Sequence, residues 1–263
     1  MSEPAPVLYI ERGRELAQGL AACGFCHGQT ADAQSPLSGG RIQHDAYGEV
    51  AAPNITPHSS GIATIKTMEL MQIFRAGIAP DERRLSRAVH KGFEWLSDND
   101  LLAIIAFLKF QPPVANEVEK REVGFIERNT AGFLESTFEV TGFVPEIEKS
   151  YPVEYGKYLL DHVARCGSCH NTPATLITDE AYLSGGALIK IESGEKIAPN
   201  ITTSNDAGIG SWSEDDIVHY LQSGETPEGR VSDAKFCPVD FYRNASPEDL
   251  VSIAKYLKTV APN

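Results

Sequence analysis

The pentapeptide C-x-x-C-H occurs twice in these 263 residues, as Cys23-Gly24-Phe25-Cys26-His27 and as Cys166-Gly167-Ser168-Cys169-His170. No other feature constrains the chain as strongly. Two thiols three positions apart with an imidazole immediately after them place three anchoring groups on one turn of backbone. That arrangement lets the thiols add to the two vinyl groups of a haem while the histidine reaches the iron from one face. Other chemistries use C-x-x-C. Cys23, Cys26, Cys166 and Cys169 would make a tetrahedral zinc set, a redox pair wants a βαβ setting, and disulfides form in exported proteins. Each of these leaves His27 and His170 without a purpose, twice over, so the reading is two covalently attached haem c groups. Cys237, the fifth cysteine, is left over.

The motifs sit in a repeat that runs well beyond them. Gly13-Arg14-Glu15-Leu16 answers Gly156-Lys157-Tyr158-Leu159. Leu37-Ser38-Gly39-Gly40 answers Leu183-Ser184-Gly185-Gly186, and Ala52-Pro53-Asn54-Ile55-Thr56 answers Ala198-Pro199-Asn200-Ile201-Thr202. Further on, Gly61-Ile62 matches Gly208-Ile209, Ala76-Gly77 matches Ser223-Gly224, and Ser97 to Leu101 matches Ser246 to Leu250. Self-similarity on this scale means a duplicated unit. The expected division is therefore 1–113, a first domain; 114–150, a connector without a counterpart, carrying Phe125, Phe133, Phe138 and Phe143; and 151–263, a second domain.

Each half predicts the same helices. Tyr9 to Ala22 and Val153 to Arg165 lead into the cysteine motifs with apolar residues at helical spacing. Thr67 to Arg75 and Ser213 to Gln222 form the middle helices, the second opened by the N-cap Ser213 with Glu214, Asp215 and Asp216 behind it, and Gly77 and Gly224 end them. The last helices start at the capping serines Ser97 and Ser246 and stop before Pro112 and Pro262. Little β pattern competes.

The pentapeptides, with L-S-G-G, P-N-I-T, G-I-G-S-W-S-E-D-D and S-P-E-D-L-V-S-I-A-K-Y-L, resemble the class I cytochrome c domain family. They are most similar to the multihaem cytochrome subunits of membrane-associated alcohol, aldehyde and gluconate dehydrogenases. The resemblance covers both halves and not the connector. It implies an all-α fold of two tandem cytochrome c-like domains joined by a long connector, and electron transfer as the activity, a carrier more than an enzyme. It also implies a third haem and a methionine as the sixth iron ligand, and the chain departs from both.

No methionine occurs in either loop between the middle and last helices. Cys237, before Pro238, stands where Met-Pro is expected, and a thiolate there would stabilise Fe(III); Lys235 is its rival. In the first half His90 lies thirteen residues past Gly77, as Cys237 lies thirteen past Gly224, giving a His27/His90 pair. Counted back from the last helix Ala88 takes that position, and Lys91 and His44 compete. Met68 and Met71 fall on the middle helix at a core spacing. Arg41, Tyr47 and Trp212 could line a haem edge or bond its propionates, while Asn54 and Asn200 read equally as turn residues. The second function is oxidation of a sulfur compound such as thiosulfate, after the two-haem thiosulfate dehydrogenases, whose cysteine ligand lies in the first domain and not the second.

Thirty-six acidic against 23 basic residues give a net charge of −13, which excludes nucleic acid and suits redox partner proteins with a basic docking face. No apolar run reaches the roughly 18 residues of a membrane span, so no integral membrane segment is expected. The chain is expected in the periplasm, exported, its signal segment removed or replaced by a start methionine in a sequence that opens Met1-Ser2-Glu3-Pro4.

Overall fold

The computed structural model describes residues 6–30, 32–45, 48–81, 85, 90–122, 124, 140–175, 177–191 and 194–262. Contacts divide the chain into two compact units, Met1–Gln18 with Ala22–Glu146, and Gly19–Ala21 with Ile147–Asn263.

In the first unit α1 (Pro6–Gln18) and α2 (Cys23–His27) are followed by β1 (Ile42–Asp45), β2 (Gly48–Ala51), α3 (Thr67–Ala76), a 3₁₀ turn (Phe93–Trp95) and α4 (Asp98–Phe110). The N-cap Ser97 accepts a bond from the Asp100 amide at 3.1 Å, and Gly77 ends α3 with φ 66°, as the serine and glycine signals predict. α1 crosses α4 so closely that a Cβ on Gly13 would lie 1.9 Å from the Ala103 carbonyl oxygen. Beside that crossing Arg12 Nε bonds Asp100 at 3.0 Å, and Leu16, Leu101, Ile104 and Ile105 close the core. The described part of 114–146 packs on this unit. The Val114 carbonyl accepts from Asn54 Nδ2 at 2.9 Å, Asn116 Nδ2 donates to the Ser38 carbonyl at 2.9 Å, and the Asp98 amide donates to the Val144 carbonyl at 3.0 Å.

The second unit repeats the plan with α5 (Pro152–Tyr158), α6 (Gly167–His170), β3 (Leu188–Ile191), β4 (Gly194–Ile197), α7 (Glu214–Ser223), α8 (Val239–Tyr242) and α9 (Pro247–Leu257). α5 crosses α9 at Gly156, whose Cβ would lie 1.9 Å from the Ser252 carbonyl oxygen. Tyr155, preceding this glycine as Arg12 precedes Gly13, donates to Asp249 at 3.0 Å. Past Tyr158 the helix widens into a π turn, Leu159–Val163, where an uninterrupted α-helix to Arg165 is expected from the sequence.

The expectation of an all-α fold is wrong. Each unit carries an antiparallel two-stranded ribbon, paired Ile42↔Ala51 to Asp45↔Gly48 in one and Leu188↔Ile197 to Ile191↔Gly194 in the other. The reason lies at the ribbon bases. The Gly40 amide donates to the Ala52 carbonyl at 2.8 Å and Gly186 to Ala198 at 2.9 Å. With L-S-G-G and A-P-N-I-T clamped together, the chain between them has to leave and return, and short strands pair its backbone groups.

A lysine at the end of each last helix ties down the loop before the middle helix. Lys109 Nζ donates to the Ile65 carbonyl at 2.7 Å, and Lys258 Nζ to the Gly210 and Trp212 carbonyls at 3.0 and 2.6 Å. Lys258→Met keeps the aliphatic stem and deletes charge-assisted bonds to two part-buried acceptors. It should lower stability by about 2 kcal/mol, measured by denaturant unfolding; an unchanged midpoint would mean that water replaces the ammonium.

Candidate haem-binding site

Each pentapeptide begins at a break in the backbone. Ala22 and Arg165, directly before Cys23 and Cys166, have φ values of 45° and 53°, a left-handed conformation that side-chain-bearing residues adopt at a cost of order 1 kcal/mol or more. The break turns the chain out of the incoming helix, and a new turn forms at once. The Phe25 amide bonds the Ala22 carbonyl at 2.8 Å and Ser168 bonds Arg165 at 2.9 Å. Cys23, Cys26, Cys166 and Cys169 are all half-buried, and no disulfide joins them. Among the described residues no three Cys, His, Asp or Glu side chains converge as a zinc site requires.

Both histidines are oriented by the repeat. His27 Nδ1 lies 2.8 Å from the Pro53 carbonyl and His170 Nδ1 lies 2.8 Å from the Pro199 carbonyl. A carbonyl only accepts, so Nδ1 carries the proton and Nε2 keeps its lone pair, the tautomer fixed for a metal ligand. Burial lowers the pKa of each imidazole, against the opposing proline bond, and so favours the neutral, ligating form. The prolines are held in turn. The Gly39 amide donates to the His27 carbonyl at 2.7 Å and Gly185 to His170 at 2.6 Å, with Gly39 and Gly185 at φ 78° and 75°. A Cβ on either would come within about 2.5 Å of backbone from the A-P-N segment. Asn54 and Asn200 resolve as turn residues, their Oδ1 atoms accepting from the amide and hydroxyl of Thr56 and Thr202 at 2.7 to 2.9 Å.

The structure brings His90 to His27. Their ring centroids are 6.2 Å apart, with planes inclined at 49°. Two imidazoles bound to opposite sides of one metal ion at about 2.0–2.1 Å have centroids roughly 6 Å apart. His44, on β1, and Lys91 are exposed, and Ala88 and Tyr47 lie outside the described residues, as do Phe125, Phe133 and Phe138. Arg41 holds its guanidinium 5.6 Å above the ring of Phe25, inside the first pentapeptide. Its Nη1 is buried and has no hydrogen-bond partner among the described residues, a donor suited to an anionic group such as a propionate.

In the second unit Cys237 lies near enough to the pentapeptide thiols for their charges to act on one another. Burial pushes the Cys237 thiol up to about 11, opposed by a hydrogen bond from Tyr220 and by the Lys196 ammonium, and reinforced by Cys169. Burial and then Cys237 raise Cys166. Burial and the three neighbouring sulfurs likewise raise Tyr242. Lys235 is exposed, its amide held by Asp233 at 2.9 Å. Met68 is 66% exposed, which corrects the expectation of core packing for that residue. Trp212 lies against Tyr220, centroids 5.5 Å apart. The residue types alone did not single out Tyr220 or the two proline carbonyls. A helical tyrosine reads as core, and a carbonyl carries no residue identity, although the repeated A-P-N-I-T marked its place.

The donor set, the histidine tautomers, the facing His90 ring and the unpaired Arg41 nitrogen fit a haem c in the first unit; the thiols, His170 and Cys237 fit one in the second. No protein-family model matches the chain. It is similar over 98% of its length to the fructose dehydrogenase cytochrome subunit of Gluconobacter japonicus, at 29% identity and over 55% of that protein. It is also similar to the cytochrome c subunit of the quinone alcohol dehydrogenase of Gluconobacter oxydans, at 31% identity over 98% of this chain and 56% of that one. A diheme cytochrome c-type protein of Cereibacter sphaeroides is 28% identical over 95% of this chain and 85% of its own. The chain thus spans about half the length of the two dehydrogenase subunits.

Proposed function

We propose that the chain is a c-type cytochrome of the dehydrogenase-subunit kind, an electron carrier with two covalently attached haem c groups, one in each unit. The observation that carries the reading is the duplicated pairing of a C-x-x-C-H turn with a histidine whose Nδ1 is fixed by a proline carbonyl. The likeness to cytochrome c subunits over nearly the whole chain supports it. The two-haem count has further support from the name of the Cereibacter relative.

A haem c supplies one reversible electron at its iron. Cys23 and Cys26, and Cys166 and Cys169, would tie the groups to the chain, and His27 and His170 would each offer Nε2 as a ligand. His90 would offer a second imidazole in the first unit and Cys237 a thiolate in the second. Arg41 would pair with a propionate. With two ligands from the chain for each group, the residues suit a carrier more than an enzyme. The proposed domains are 1–113 and 151–263, with 114–150 as connector. The partner is a dehydrogenase subunit presenting a basic face to this acidic chain, in the periplasm. Among the described residues no helix is long and apolar enough to cross a membrane. The sulfur-compound alternative gains no support from the relatives.

The test is a haem count joined to an electron-exchange measurement. The pyridine haemochrome of the chain matured with haem should give two haems per chain. Mixing with a reduced sugar or alcohol dehydrogenase should reduce both, at a rate that falls as salt rises. Fewer than two haems, or no reduction by any such donor, would reject the reading.

A further inference from the structure

The two units differ in a way that tracks the proposed sixth ligand. Gly77 and Gly224, Leu85 and Ser232, and His90 and Cys237 are each 147 positions apart. The backbone obeys the same register, since the Leu85 amide donates to the Gly77 carbonyl at 2.8 Å and the Ser232 amide to Gly224 at 2.8 Å. On that register Tyr220 of α7 answers Ile73 of α3. At those places the unit with an imidazole has isoleucine and leucine. The unit with a thiol has two hydroxyls at the same places.

Those hydroxyls form a pair beside the sulfur. Tyr220 and Ser232 are 2.8 Å apart, oxygen to oxygen, and Tyr220 neighbours Cys237 and favours its thiolate form. Tyrosine has one proton and a metal-bound thiolate only accepts, so with Cys237 as ligand Tyr220 would donate to Sγ and accept from Ser232. The Trp212 ring, 5.5 Å from that of Tyr220, packs against it. An anionic sulfur at a half-buried position needs a donor. A neutral imidazole needs none.

Resting on the proposed ligation by Cys237, we infer that Tyr220, backed by Ser232, is a positioning residue that sets the reduction potential of the second haem. A hydrogen bond draws electron density from the sulfur, weakens its donation to Fe(III) and raises the potential that thiolate ligation would otherwise depress. The hydroxyl pair thereby brings the second centre back toward the range of the first.

Tyr220→Phe keeps the ring and removes the donor. In the haem-loaded full chain, potentiometric titration should show the second haem's potential moving to a lower value while the first haem's stays in place, the thiolate electron paramagnetic resonance signal persisting with altered g values. Ser232→Ala should give a smaller shift in the same direction. A merely structural role would not lower the potential in both variants with the thiolate signal retained. If Cys237→Ala abolishes the thiolate signal but neither Tyr220→Phe nor Ser232→Ala moves the potential, the inference is overturned and the ligand assignment stands. If Cys237→Ala leaves the signal intact, the ligand assignment fails and the inference falls with it.

Discussion

Gly156→Ala is expected to destabilise the second unit by about 2–3 kcal/mol, although on an isolated helix the same change would stabilise. Alanine gains roughly 0.8–1 kcal/mol over glycine in a helix interior, and α5 is helical at this position. Against that gain stands the Ser252 carbonyl oxygen, 1.9 Å from where the Cβ would be, with its carbon at 2.5 Å. Backbone cannot rotate aside as a side chain can. The crossing has to open by more than an ångström, and Leu159, Leu250 and Ile253, all at 1% exposure or less, lose the packing it closes. Overpacking costs of about 1–3 kcal/mol are usual where side chains can adjust, so a contact with rigid backbone belongs at the upper end and outweighs the propensity gain. Calorimetry or denaturant unfolding of the haem-loaded chain measures the effect. A stabilised variant would show that the two helices are not held at this distance. Gly13→Ala, against the Ala103 carbonyl at 1.9 Å, should do the same to the first unit.

These glycines were legible as members of a repeat, but their reason was not, because a missing Cβ matters only once the opposing helix is known. The same split runs through the rest of the chain. The helix signals that rest on local chemistry hold up. Ser213, Ser246 and Ser97 all cap, and Gly224 closes α7 at φ 74°. The ribbons escaped notice because no face of them is fully buried: Gly194–Ile197 is exposed throughout and Leu188–Ile191 alternates only between exposed and half-buried, so the alternation by which a strand is recognised is weak. What makes them strands is the clamp at Gly40 and Gly186, a long-range hydrogen bond that no window of sequence contains. The π turn at Leu159–Val163 was hidden for a related reason. Its apolar residues satisfy a helical period, and the widening appears only in which carbonyl each amide chooses: Ala164 bonds Leu159, and Cys166 bonds Leu160 at 3.0 Å.

Replacing Cys166 and Cys169 together by alanine should leave a chain that carries one covalent haem instead of two. The orienting contacts for each centre come from its own repeat, His27 with Pro53 and His170 with Pro199, so loss of the second pair of thioethers does not dismantle the first site. Mass spectrometry under denaturing conditions reads the outcome directly, because coordination by His170 and Cys237 does not survive denaturation and thioethers do. The single variants Cys166→Ala and Cys169→Ala each keep one thioether and should retain both haems at reduced yield. The double variant also separates the haem reading from its rival. A zinc ion held by Cys23, Cys26, Cys166 and Cys169 would lose half its ligands and depart altogether, so metal content would fall from one to none while no haem was ever present. A fall in covalent haem from two to one is a result that only paired, separate attachment sites produce. The variant's second unit should also unfold at lower denaturant, since thioethers keep the group at hand for ligands that bind it only in the folded state, whereas an untethered group is lost on dilution and its stabilisation with it.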